Sequence, residues 1–565
     1  MKYKLKNDEL RISELGAKDV DVSFSENLYG STDGAFAARG RRARIRPLAS
    51  GDALMGDDTL AYVDNGRLYY GGLEISNLYL TPGEKKILKV GNFLVIFPDE
   101  VFLNLENYSD CGSLNAKYTQ YGSRVTVTDA NGNALNYETV TELPEEASEG
   151  TYNLLKTTSG ELIMKRFLRG IWHDAKSYIK IMAGNIGVSF REGDTVYCTG
   201  FSDTIGSYFK IAKKTTNYLL IEGTMSIKEY SSGSIQLTRT IPSFDYVTVS
   251  GGRLFGVRRG ADKSGKLICK MYGSAIGNPF NFAPEAGGVV MDLDINGTFT
   301  GICDYLGSPV AFTENEIIEA RLKGGALIGT VVKGYGVEKG AEKSISQYAS
   351  ALYYKSKAGV CYYDGSYPEV ILPTSLSEQG CCGIATNGKY YMSSENGISV
   401  YDIKDKKWIR ENGCGVVAFA ECKGSLYALC KDTDGDFIVL MDFDAADDEV
   451  RYYLAEESYP IVEEAVAWRV DSIEIGKGDF DSVCPVRIAL KMKNSVQYPF
   501  SVTVIYDGER EFSKSFSLSL NGTVEIPLPL RRCDSFKIKI EGKGEVSLIG
   551  LQAYYRVGGK ARGWK

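Results

Sequence analysis

One phrase recurs along this chain and limits what it can fold into: a glycine or other small turn, a short apolar strand, a second turn, another short strand. It appears early as NGRLYYGGLEI and GNFLVIFPDEVFLNL. It returns as GGRLFGVRR with KLICKMYGS, then GSPVAFTENEIIEA, ASALYYKSKAGVCYYDG, NGKYYMSSENGISVYDIKDKKW and GSLYALCKDTDGDFIVLMDF. The strand centres Leu254, Val310, Leu352, Tyr390 and Leu426 lie 56, 42, 38 and 36 residues apart, close to the roughly 40–50 residues of a four-stranded propeller blade. Helical periodicity over long windows is almost absent, and the strand-like segments are bounded by Gly, Asn and Asp. In the phrase that ends at Trp408, Glu395-Asn396-Gly397 supplies the positive-φ residues a tight hairpin requires. The pattern predicts an all-β chain built around a β-propeller.

At 565 residues the chain is too long for a single growing core. Its 37 Tyr, 23 Phe and 62 Gly against 15 Pro favour many short strands joined by tight turns. The blade phrases divide it into a basic arm at 1–51, first blades at 52–109, an inserted β domain at 110–240, further blades at 241–461 and a C-terminal β-sandwich at 462–565. The arm carries Arg39, Arg41, Arg42, Arg44 and Arg46 and reads either as a contact for an acidic neighbour, DNA included, or, preferred, as a solvated arm that packs along another subunit. In the insertion, Pro144 with Glu142, Glu145, Glu146 and Glu149 suggests an exposed connector. The following REGDTVYCTG suggests a small β-barrel, which is more often a docking module than an enzyme. From Val462 the strands lengthen and alternate, as in a sandwich of about one hundred residues.

Catalytic chemistry finds little support. The one histidine, His173 beside Trp172, has no nucleophile-elbow motif to serve and reads as structural or surface. The twelve cysteines show no metal-ligand spacing and read as buried free thiols of a protein folded in a reducing cytoplasm. Asp292, Asp294, Asn296 and Gly297 begin like a calcium loop, but Cys303 stands where the closing Glu is required, so a hairpin is expected there. Asp432, Asp434 and Asp436 likewise read as a turn. The Asp-box turns usual in propeller sialidases are missing, as are phosphate-binding glycine fingerprints. No cofactor or metal is expected. A net charge of -7 argues against an adhesive nucleic-acid binder while remaining compatible with a conduit that DNA slides through. No run approaches membrane-spanning length and the start resembles no signal peptide, so synthesis and assembly in the cytoplasm are expected.

The ordered set of phrases from Ser250 onward resembles the β-propeller tail proteins of bacteriophages and prophages, the group that includes the tail nozzle (tail tubular protein B) and tail-hub proteins of short-tailed phages. The most specific parts are Arg253-Leu254-Phe255-Gly256, Gly277-Asn278-Pro279-Phe280-Asn281-Phe282 and Arg531-Arg532-Cys533-Asp534. The family more often has Trp where Phe255 stands and Asp where Asn278 stands. Both departures keep the physics, an aromatic plug and a side chain able to close a turn before Pro279. The resemblance implies a structural, non-enzymatic virion protein: a hexameric ring, nozzle or hub, around the channel through which the genome leaves. Other tail proteins on the adaptor or portal side and in the fibres or tip would be its partners, with DNA in transient non-specific passage and the host envelope as a further contact. The alternative is a minor tail or host-adhesion protein that binds cell-surface carbohydrate. A cell-wall or capsule hydrolase ranks third. In either leading case Phe280 and Phe282 are expected to plug between blades.

Overall fold

The computed structural model describes residues 3–4, 16–19, 21–30, 35–200, 207–231, 233–261, 265–373, 381–395, 397–444, 450, 453–476, 482–494, 498–517 and 521–557. Among them the regular structure is β-strand, with three single 3-10 turns at Ile186–Val188, Pro284–Ala286 and Glu342–Ser344. No helix of the described residues is long and apolar enough to cross a membrane. Asn396, expected at a hairpin tip, lies outside the described residues, although Ser394 pairs with Gly397 across that turn.

Among the described residues there are seven four-stranded antiparallel groups of blade type, the first two separated from the other five by the insertion. Five are separate sheets, at 51–79, 86–113, 246–292, 301–333 and 346–373. The sixth, 382–411, continues through a parallel bridge between Arg410 and Glu26 into a larger sheet. The seventh has only three strands of its own, between Val416 and Leu440, and takes its fourth, Ala43–Leu48, from the other end of the chain.

The chain divides into two compact units, one of residues 1–85 with 334–565 and one of residues 86–333. Within the first, the leading strands of the meanders at 346–373, 382–411, 416–440 and 51–79 lie side by side in that order. Within the second, those at 86–113, 246–292 and 301–333 do the same. A meander buried on both faces needs apolar residues at successive positions, which is why the phrases read as nearly continuous hydrophobic runs. In strand Arg253–Ala261, Leu254 enters the cluster shared with the 86–113 meander, whereas Phe255 and Val257 enter the one shared with 301–333. Each such buried side chain contributes about 1.5–3 kcal/mol.

The insertion departs from expectation. The stretch around Pro144 that suggests a connector supplies two parallel strands, Tyr137–Val140 and Tyr152–Lys156, to a four-stranded sheet completed by Leu162–Leu168 and Ile171–Asp174. The loop around Pro144 is exposed as a connector would be. The rest forms one eight-stranded path running from Ala116–Tyr121 to Glu229–Ser231 around an apolar cluster that includes Val125, Ile179, Val196, Ile221 and Leu237.

The N-terminal segment is not a solvated arm. Strands Gly16–Asp19, Leu28–Gly30 and Phe36–Ala38 extend a sheet otherwise built from residues 483–557, Asp21–Glu26 lies between the 382–411 meander and strand Ala467–Ser472 of a second sheet, and Leu28 and Phe36 join Trp468, Val504, Ile538 and Leu548 in one apolar cluster. Four of the five arginines find acids within the same unit, and Arg46 donates to the carbonyls of Tyr453 and Leu454. Arg42 meets Glu411 at 2.6 Å with both buried, Arg39 meets Glu463 at 2.9 Å, Arg44 meets Asp432 and Asp434, and Arg41 meets Asp444.

Candidate functional site

The signature segment Arg253–Phe282 begins with a strand that must accept a close neighbour. A Cβ on Gly256 would stand 2.2 Å from the Phe244 ring, so this position admits only glycine without displacing that ring. Arg253 ends the preceding turn and donates from Nη1 to the carbonyls of Ser274, at 2.6 Å, and Gly287. The Leu254 N–H donates to the Ser274 hydroxyl at 3.0 Å. The Ala275–Asn278 bridge closes a tight turn that Gly277, at φ 66°, makes sterically free. Asn278 Oδ1 accepts the Phe280 N–H at 2.9 Å, and Pro279 between them ends strand pairing.

Beyond that turn three parts of the 86–333 unit converge. Phe280 stands edge-on to Phe93 and Phe102 of the 86–113 meander, centroids 5.2 and 4.9 Å away. Two guanidinium groups of the insertion cover the same aromatic group. Arg191 lies 4.9 Å from the Phe280 centroid and 4.5 Å from that of Phe102, and Arg239 lies 4.6 Å from Phe280. Asn281 ties the insertion by backbone bonds, donating to Gly193 O at 2.8 Å and accepting the Thr195 N–H at 2.9 Å. Phe282 turns instead to Phe244, 5.5 Å away. The expected plug between blades is thus, at Phe280, a three-way joint that also seats the inserted domain.

The charges of the joint are paired. Arg239 forms a buried ion pair with Asp194 and donates to Leu114 O at 3.0 Å; burial pulls its guanidinium below the ordinary value despite that carboxylate. Arg191 pairs with Asp110. Burial would raise the Asp110 carboxyl, but hydrogen bonds from Arg191 and Asn104 outweigh it and hold the group below its usual range. Such an arrangement fixes geometry; it presents no nucleophile with a base beside it.

The third signature phrase belongs to the other unit. Arg531 and Arg532 are exposed, with the Arg531 guanidinium 5.4 Å from the Tyr506 ring centroid. The Asp534 N–H donates to Asp507 Oδ1 at 2.7 Å. The remaining sequence candidates resolve into scaffold. His173 is exposed on strand Ile171–Asp174, and the neighbouring Trp172 donates to Pro144 O at 2.8 Å. The hairpin expected at Asp292–Cys303 is instead a link between two meanders, because Asn296 is held by both oxygens of the buried Glu316 carboxylate. Asp432 and Asp434 form a turn and receive Arg44. All twelve cysteines are free, and burial pushes the Cys198 and Cys382 thiols up to about 12. Among the described residues, no group of three or more His, Cys, Asp or Glu side chains is placed to hold a metal ion.

Sequence reasoning missed Phe93, Phe102, Asp110 and Arg239 as members of the joint. Arg191 and Asp194 lie inside the REGDTVYCTG phrase, which suggests a small β-barrel but names neither as a partner of the joint.

No family model and no curated protein matches this chain. Solved structures align with it at low similarity. Apo AztD from Citrobacter koseri is 11% identical with a TM-score of 0.26, over 69% of this chain and 86% of that one. The extracellular domain of the putative one component system BT4673 from B. thetaiotaomicron is 9% identical with a TM-score of 0.24, over 91% of this chain and 96% of that one. Similarity of that size transfers neither fold nor function.

Proposed function

We propose that this chain is a structural protein of a phage tail, assembling as a hexameric nozzle or hub around the DNA-exit channel and helping to retain and then conduct the genome during ejection. The observation that carries the reading is the fixed character of the signature segment. Arg253, Asn278 and Asn281 are each held in hydrogen bonds to backbone, and Phe280 is locked among two phenylalanines and two paired arginines. The phrases that carry the family resemblance act in this reading as fixed scaffold, and the proposal assigns the chain no enzyme activity and no cofactor.

In this reading the blade-type meanders make up a propeller, the eight-stranded insertion is its small barrel and the two sheets around Trp468 are a β-sandwich. The barrel is supported by its strand path. Glu229–Ser231 and Ser234–Arg239 follow one another and pair with Arg124–Thr128 and Ala116–Tyr121, so both ends of the path belong to one pair of bent strands. The net charge of -7 suits a bore that phosphates pass without sticking. The protein would reside in the virion tail after assembly in the bacterial cytoplasm, between adaptor or portal proteins and the fibres or tip.

Mass photometry and electron microscopy of the purified full chain test this directly. The expected particle is a ring of about six times the 62.0 kDa chain mass, and an antibody against the chain is expected to label tails in phage micrographs. A protein that stays monomeric at micromolar concentration, with unlabelled tails, would sink the proposal.

A further inference from the structure

Beside the joint, the insertion presents an aromatic row that its own core does not use. Along strands Thr195–Thr199 and Ser234–Arg239 the alternation is strict. Val196, Cys198 and Leu237 point into the apolar cluster, while Tyr197 and Thr238 point out. The register then places Thr238, Tyr197 and Tyr208 next to one another across three neighbouring strands. The two tyrosine rings lie 5.0 Å apart, and Tyr208 is 60% exposed. Facing them across a cavity of about 550 Å³ are Lys270 and Tyr272 of the 246–292 meander. That volume falls within the range of roughly 300–1,000 Å³ typical of small-ligand sites.

The lining also contains an unmet polar group. Thr195 is buried, and its hydroxyl has no hydrogen-bond partner among the described residues, although its backbone N–H is taken by Asn281. A buried hydroxyl without a partner is costly, so a ligand that supplies one gains from it. Charge narrows the ligand class. The Lys270 ammonium is paired with Asp292 at 3.2 Å, Arg239 is paired with Asp194, and Glu285 adds a carboxylate to the lining. No unpaired cation remains there to take a phosphate or a uronate. What fits is an uncharged ligand with flat C–H faces and many hydroxyls.

We propose that the cleft between Tyr197–Tyr208 and Tyr272 binds a neutral saccharide, the tyrosine rings stacking on pyranose C–H faces and the Thr195 hydroxyl bonding a sugar hydroxyl. The negatively polarised face of an aromatic ring attracts such C–H groups. The proposal does not rest on the tail reading, and its test is independent of ring assembly.

Saturation-transfer NMR and titration calorimetry on the full chain, with malto-, cello-, chito- and manno-hexaose as probes, read it out. At least one of these is expected to bind with a dissociation constant of about 1 mM or tighter, the regime of a few kcal/mol. Tyr208→Ala should weaken that binding at least about tenfold, as loss of an aromatic anchor does. Tyr208→Phe, which keeps the ring, should stay within about twofold of wild type. Tyr121→Ala, at an 81% exposed tyrosine outside the cleft, should change nothing and controls for general surface stacking. Binding of none of the four probes at ten millimolar (~10 mM, far above the expected constant) overturns the proposal. So does wild-type affinity in Tyr208→Ala, or displacement of the sugar by oligo-dT, which would mark a single-stranded DNA platform instead.

Discussion

Phe280 is held by partners of two kinds, and their removal can be separated. Its edge-on contacts with Phe93 and Phe102 are apolar packing, whereas Arg191 and Arg239 lie over ring faces that are lost only when the ring is lost. Phe280→Ala is expected to destabilise the 86–333 unit by about 3–5 kcal/mol, the usual cost of emptying a buried aromatic site. Phe280→Leu should recover part of that, since it refills volume without restoring a π face. Urea unfolding of the full chain, followed by near-ultraviolet circular dichroism, reads both, and an unchanged midpoint in the alanine variant would show that the joint carries no stability. At this scale the legible features were the local ones. Asn278 and Pro279 announce a turn because an Asn side chain and a proline ring act within two residues of themselves. The partners of Phe280 left no trace in the sequence, because an arginine on a distant strand looks the same whether it faces water or a phenyl ring.

Strand Ala43–Leu48 shows why a basic run was read as an arm. Its own alternation was visible: Ala43, Ile45 and Leu48 are buried while Arg44 and Arg46 lie between them half-buried. The density of arginine masked that pattern, and the acids that neutralise it, Glu411, Asp432, Asp434 and Glu463, come from the other end of the chain. Pro47 stands opposite Phe437, and among the described residues the strand's other neighbour, Ile461–Val462, pairs only with Ala43 and Arg44, so Pro47 lies on an open edge where its missing N–H costs no ladder bond. The pairs are not equivalent. Glu411 accepts from Arg42 and from the Tyr29 hydroxyl in a buried site, where desolvation and the same carboxylate push the Tyr29 phenol well above its ordinary value. Glu411→Ala would leave the Arg42 charge buried and unpaired, at an expected cost of about 3–5 kcal/mol. Arg41→Ala, which breaks a pair with both side chains more than two-fifths exposed, should cost less than about 1 kcal/mol. Guanidinium unfolding of the two variants side by side decides it; similar losses would mean that burial of the Arg42 pair is not what holds this strand.

For the whole molecule, the period of the blade phrases was legible because each phrase is a local hairpin whose turn residues and apolar strands are adjacent in sequence. The completion of the seventh meander was not, since its fourth strand arrives from residues 43–48, and neither was the extension of the two C-terminal sheets by residues 16–38. One N-terminal segment therefore contributes strands to three sheets of the same unit. Noncovalent closure by a distant strand forfeits the entropy of a very long loop, but that cost grows only logarithmically with length, so the clasp is affordable if its strands bury well. Ala43 and Ile45 are fully buried, and Leu28 and Phe36 enter the C-terminal cluster. A chain that starts at residue 49 should accordingly lose protease protection across 382–557 while residues 86–333 keep theirs. A synthetic peptide of residues 16–48 added during refolding should restore protection, because it returns the missing strands together with Leu28 and Phe36 of the C-terminal cluster. Limited trypsin digestion with mass spectrometry distinguishes the outcomes. Equal protection with and without the segment would mean that the C-terminal sheets stand by themselves and that the N-terminal strands only decorate their edges.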